Sequence, residues 1–165
     1  MVSRNFIKII VYGFVLMFLA AGLMYGFAQI TKDKVTQNES DYVARLSQYV
    51  DNMKKIEVDE LAMMQTWKAE KIDAGTAVSQ FSDFKSKRQT LDDDFFSKAA
   101  PVKFTQIHFN LKDANVLWMQ ADDLYREGIF QRRNDFITDA DAIVLTAKGK
   151  FDSALAQLEK LGYKL

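Results

Sequence analysis

The chain contains one histidine, His108, and no cysteine. Without cysteine there is no disulfide, no thiol nucleophile, no thiolate metal ligand and no thiol for lipid attachment. His108 has no partner in the sequence from which a catalytic triad or a histidine metal site could be built. Folding the chain about its turns sets it level with Asp93 and within about two helical turns of Met53 and Glu57. A haem held by Met53 and His108 would need convergent geometry that no motif here supports. The expected state is a partly buried histidine bonded to a nearby carboxylate. Asp92, Asp93 and Asp94 are consecutive. On a helix they point in different directions and cannot chelate one ion together. The spaced oxygens and glycine of a calcium loop are missing, so a solvated rim is expected. "AKGKF" at 147–151 lacks the phosphate-loop pattern. The expected catalytic, cofactor-binding and metal-binding sets are therefore empty. The chain is expected to need no cofactor and not to be an enzyme.

Arg88 is the polar residue with the most specific expectation. It stands where the spacing of Ala77, Phe81, Phe84, Leu91 and Phe95 calls for a hydrophobe. A guanidinium keeps its proton and is costly to bury unpaired. A turn near 73–76 sets Arg88 level with about residue 61 of the preceding helix. Glu60 is then the expected charge-assisted partner, with Glu57 as the substitute. The competing arrangement lays the Arg88 stem over the core and holds its head in water.

The elements that must position these residues are helical throughout. Seven-residue columns are plain in the C-terminal half. Phe104, Leu111, Trp118 and Tyr125 form one, with Ile107, Ala114, Ala121 and Gly128 three positions on. Ile137, Val144, Phe151 and Leu158 form another, with Ala140, Ala147, Ala154 and Leu161 three positions on. Each seam pairs a bulky column with a small one, so two backbones can approach closely. The aromatic columns are read as core rather than as the walls of a ligand cavity. Turn signals divide the rest. Helices are expected over about 37–72, ended by "DAGT"; about 76–99; about 101–131, with Pro101 in its first turn; and about 135–161, capped by Asn134 or Asp135 and ended by Gly162. Thr36 and Glu39 have capping-box spacing. The first helix starts with Val43, Leu46, Val50 and Met53. The pattern then slips, with Val50, Leu61 and Ile72 every 11 residues, as a stutter would give. The fold class expected is all-α: an N-terminal transmembrane helix followed by an antiparallel up-down-up-down four-helix bundle.

The N-terminal segment is of another kind. Between Lys8 and Lys32 lie 23 residues without a charge. At about 1.5 Å per residue this spans a hydrocarbon layer of about 30 Å. The divisions expected are a short head over 1–8, a signal-anchor span over 9–31, and the bundle over 32–165. Gly26-Phe27-Ala28 offers a cleavage site before Gln29, but secretory h-regions run to only about 7–15 residues. Gly22 and Gly26 stand one turn apart and form the expected helix-association face. Arg4 and Lys8 flank the N-terminal side, a mild preference for placing the bundle outside.

After Thr31 there are 20 basic and 22 acidic residues. A near-neutral domain offers no footprint for nucleic acid. The expected partners are the lipid bilayer and a protein partner or second copy reached through the span. The expected location is the membrane, crossed once, with the bundle at the cell surface or in a periplasm. In architecture the chain resembles the bundle sensor domains of bacterial receptors. Two functions are compatible with these features. The first is a non-enzymatic single-pass protein presenting an interaction, assembly or sensing module outside the membrane. The alternative is a secreted or periplasmic bundle that binds a ligand, haem included, after cleavage before Gln29.

Overall fold

The computed structural model describes residues 38–164. Among them are four α-helices and no strand: α1 over 38–68, α2 Ala74–Phe96, α3 Thr105–Gln131 and α4 Asn134–Lys160. A 3-10 turn, Val102–Phe104, precedes α3. Tyr42–Leu165 is one compact unit. No helix among the described residues is long and apolar enough to cross a membrane. The expected span over 9–31, Gly22, Gly26 and the Thr36 end of the capping box lie outside the described residues.

Contacts fix the direction of each helix against the next. From α1 to α2, Tyr49 stacks on Phe95 and Glu60 meets Arg88. From α2 to α3, Phe81 stacks on Tyr125 and Asp92 meets Asn115. From α3 to α4, Tyr125 donates to Asp141 and Trp118 packs edge-on against Phe151. In each pair the numbers rise in one helix as they fall in the other, so consecutive helices are antiparallel.

Turn chemistry explains the ends. "DAGT" opens α2 rather than merely closing α1. Asp73 is its N-cap and accepts from the Thr76 amide at 2.9 Å and the Thr76 hydroxyl at 2.8 Å. Consequently α1 ends at residue 68, four residues short of the expected boundary. Pro101 lies just ahead of the 3-10 turn, and Phe104, at φ −103° and ψ 2°, separates that turn from α3. Neither Asn134 nor Asp135 caps α4. The N-cap is Arg133, without a side-chain bond, and Asp135 instead pairs with Arg133. Gly162 takes the left-handed conformation expected of it, at φ 88°.

The four columns of α3 and α4 are buried as their spacing requires, with two exceptions. Val144 is half-buried, and Leu161 is largely exposed because α4 stops at Lys160. At the corner between them Gly128 is required. A Cβ there would stand 2.9 Å from Ile137 Cγ1 and 3.1 Å from the Arg133 carbonyl. The stutter expected in α1 is absent. Leu46, Met53, Glu60 and Trp67 form one unbroken seven-residue column, and Tyr42, Tyr49, Ile56 and Met63 form the other. Leu61, which the 11-residue spacing would bury, is 60% exposed. A charged residue in a core slot breaks the apolar pattern without breaking the geometry.

Close approach at α4 makes a direct prediction. Ala147 is fully buried, whereas Ala142 on the same helix is exposed. Ala147→Leu is expected to lower stability by about 1–3 kcal/mol through overpacking. Ala142→Leu should change it by less than about 0.5 kcal/mol. Urea denaturation of the two variants checks this, and equal effects would contradict the seam.

Candidate functional site: a buried charged layer

Among the described residues five polar ones are buried midway along the bundle: Glu60, Arg88, Asp92, Asn115 and Asp122. α1 supplies Glu60 from its core column. α2 supplies Arg88 and, one turn on, Asp92. α3 supplies Asn115 and Asp122. With His108 and Ile129 these two form a third seven-residue column, beside the two that the sequence makes plain.

Arg88 is the hub. Its Nη2 donates to Glu60 Oε2, and its Nε donates to Asp122 Oδ2 at 3.1 Å. The guanidinium lies over the Trp118 ring, 5.3 Å from the centroid. Asn115 Nδ2 donates to Asp92 Oδ1 at 2.7 Å and to the Arg88 carbonyl at 3.2 Å. The Arg88 side chain is wholly buried, so its head does not reach water. The Glu60 partner is the expected one. Glu57 is not a substitute, because it accepts from Lys148 Nζ at 2.9 Å across to α4. Asp122 is a second partner that the sequence reading missed.

The Asp92–Asp94 expectation needs correction. Asp93 and Asp94 are exposed, but Asp92 is buried against Asn115. In α2 it falls four residues after Arg88, on the same face. His108 also differs from expectation. Its Nδ1 stands 3.3 Å from the Tyr42 hydroxyl, and its ring packs edge-on against Phe96. Burial, then Lys112 and Arg45, hold its pKa below the ordinary value. Among the described residues no group of three or more metal-ligating side chains is assembled.

One guanidinium faces two carboxylates, so the layer carries excess negative charge. Burial pushes Glu60 up to about 7 against the opposing pull of Arg88, and Asp122 adds to the rise. Burial likewise pushes Asp122 up to about 6, again opposed by Arg88. Asp92 is raised by burial, partly offset by its bond from Asn115. Arg88 Nη1, Asn115 Oδ1 and Asp122 Oδ1 are buried without a hydrogen-bond partner among the described residues. Such atoms cost about 1–3 kcal/mol each. The layer's chemical capacity is to hold a proton on one of the two carboxylates that share Arg88. Glu60 also lines a cleft of about 150 Å³ between α1 and α4, with Leu61, Met64, Tyr125 and Val144, which gives that proton a path to solvent.

The pH dependence follows from the sign of the shift. A carboxyl raised on folding binds its proton more tightly in the native state. Its contribution is complete below the unfolded value and is lost as pH rises through the folded one. Stability is therefore expected to fall between about pH 4.5 and about pH 7. The loss expected is about 1–3 kcal/mol. Urea midpoints at pH 5 and pH 8 measure it, and Glu60→Gln should remove most of the difference. A protein more stable at pH 8 would contradict the assignment.

Comparison with protein-family models, with curated proteins and with solved structures finds no match for this chain.

Proposed function

We propose that this chain is a non-enzymatic, single-pass membrane protein that presents its bundle outside the membrane as an interaction, assembly or sensing module. The observation that carries this reading is the uncharged 23-residue stretch between Lys8 and Lys32, ahead of a domain with both charge signs in near balance. Arg4 and Lys8 on its N-terminal side favour export of the bundle. The bundle itself supports a binding or sensing role over catalysis. Its charged layer is buried, with Trp118 over the guanidinium, rather than set in a cleft that could admit a substrate, apart from the Glu60 edge. In this reading Gly22 and Gly26 let a second helix approach within the bilayer.

The test is fractionation of cells expressing the full chain. The protein is expected to stay in the membrane pellet through high-salt and carbonate washes. Protease added to intact cells should digest the bundle. Recovery of a soluble form beginning at Gln29 would overturn the anchor in favour of a released ligand-binding bundle.

A further inference from the structure

α3 carries an apolar column on its outer side as well as on its inner one. Phe109, Val116 and Phe130 are 55%, 38% and 79% exposed and stand at multiples of seven residues, with Asp123 in the remaining slot. Val102, 92% exposed, lies one step earlier in the 3-10 turn. Each outer residue falls five positions after a buried one: Phe104, Leu111, Trp118 and Tyr125. Five residues turn a helix by about 500°, which leaves the two columns about 140° apart. The outer column therefore stays turned away from the core for as long as the inner seam holds. A seven-residue apolar column in water is a helix-packing seam without its second helix.

The charges beside this column say which helix fits. On one flank stand Lys112 and Arg126; on the other stand Asp113 and Glu127. We infer that the outer face of α3 pairs with the same face of a second copy of this chain, the two helices parallel about a two-fold axis running between them. A parallel two-fold sets the basic flank of each copy against the acidic flank of the other, on both sides of the seam. An antiparallel two-fold sets basic against basic and acidic against acidic. The column agrees. In the parallel pair Phe109, Val116 and Phe130 each meet their own counterpart. The two Asp123 carboxylates also meet, but each is held by Lys85 at 2.6 Å and Arg126 at 3.2 Å in its own chain. An antiparallel pair centred on Val116 would instead press Phe109 against Asp123. Within the chain Lys150 neutralises Asp113 at 3.1 Å, whereas Glu127 accepts a neutral bond from Gln131 Nε2 at 2.9 Å and keeps its charge for the partner's basic flank. Three apolar side chains from each copy make a small contact, and the pair is a transient one. It does not depend on the membrane anchor proposed above.

Because the native chain has no cysteine, each introduced thiol is unique. The full chain, in whichever fraction it occupies, is oxidised mildly with Val116→Cys or Phe109→Cys in place. Both are expected to give disulfide-linked dimers at least fivefold above Asp139→Cys, which lies on α4. Adding Asp113→Lys and Glu127→Lys to Val116→Cys turns the acidic flank basic and should lower the dimer yield at least threefold. Circular dichroism of that variant shows whether the helices are retained. In mixtures, Phe109→Cys with Asp123→Cys should cross-link less than Phe109→Cys with itself. Dimer yields at 116 and 109 no higher than at 139 would overturn the inference, as would preferential 109–123 cross-linking or cross-links only to a different protein. Carbonate washing of the same samples reports on the anchor separately, so the two readings fail independently.

Discussion

Arg88→Met is expected to destabilise the bundle by about 3–5 kcal/mol, the usual effect of removing one partner from a buried ion pair. Methionine matches the stem of Arg88 and keeps most of its packing. What it removes is the positive charge that bonds both Glu60 Oε2 and Asp122 Oδ2. Both carboxylates must then either stay charged in a poorly hydrated core or take up protons, and either outcome favours the unfolded chain at pH 8. The variant should therefore be far less stable at pH 8 than at pH 5. Neutralising the acids as well, in Arg88→Met with Glu60→Gln and Asp122→Asn, should recover a large part of the loss, because no uncompensated charge remains. In a double-mutant cycle, Arg88→Met and Glu60→Gln should couple by at least about 1 kcal/mol. The same cycle with Glu57→Gln should give coupling near zero, since Glu57 serves Lys148. Urea denaturation of the set measures all of these. A loss below about 1 kcal/mol for Arg88→Met would mean that water reaches the guanidinium.

Trp118→Ala should cost about as much, about 3–5 kcal/mol, for a different reason. Among the described residues Trp118 is the largest fully buried side chain, and it is edge-on to Phe151 with centroids 5.4 Å apart. Alanine leaves a cavity that the close-set α3–α4 pair cannot collapse. That cavity adjoins the charged layer, so water can enter beside Arg88. The two substitutions should consequently be less than additive: once Trp118 is gone, the guanidinium has already lost the aromatic face 5.3 Å from its centre. Trp118→Phe keeps a ring and should recover more than half of the loss. Additivity of Trp118→Ala with Arg88→Met would show that the ring and the charge act independently.

The parts of this fold that the sequence makes plain are those where one residue type repeats without exception. Phe104, Leu111, Trp118 and Tyr125 alternate with small residues, and nothing polar interrupts them. Arg88 is legible because it interrupts an otherwise apolar column, and geometry about one turn then points to Glu60. Glu60 by itself is not legible in that way. It comes after two weakly apolar turns, and the eye takes Leu61 beside it for the core residue. Asn115 and Asp122 are hidden because polar residues on a helix ordinarily face water. A signal was there: both lie seven residues from a buried or half-buried neighbour in one column, His108 at one end and Ile129 at the other. Asp92 is lost among three consecutive aspartates, of which the helix buries the one four residues after Arg88. The turns went the same way. Side-chain caps such as Asp73 belong to the helix on their C-terminal side, and a run of turn residues does not say which side it serves.

The two-residue link between α3 and α4 has a consequence for how the molecule opens. Arg132 is in the left-handed conformation, and the Arg133 amide closes onto the Gly128 carbonyl at 2.8 Å. The turn is closed by near neighbours, and Tyr125 and Asp141, 16 residues apart, make the next tie, so little loop entropy is lost in starting the hairpin. The charged layer joins positions 28 and 34 residues apart and lies away from any such turn. The tight local closure thus lies at the α3–α4 turn, whereas the charged layer ties α1 and α3 to Arg88 of α2. Under native conditions, backbone amides near Ala114–Trp118 and Ala147–Phe151 should exchange with deuterium last, through global unfolding alone. Those of α1 should exchange earlier, through a partial opening that releases Glu60 while the α3–α4 hairpin stays shut.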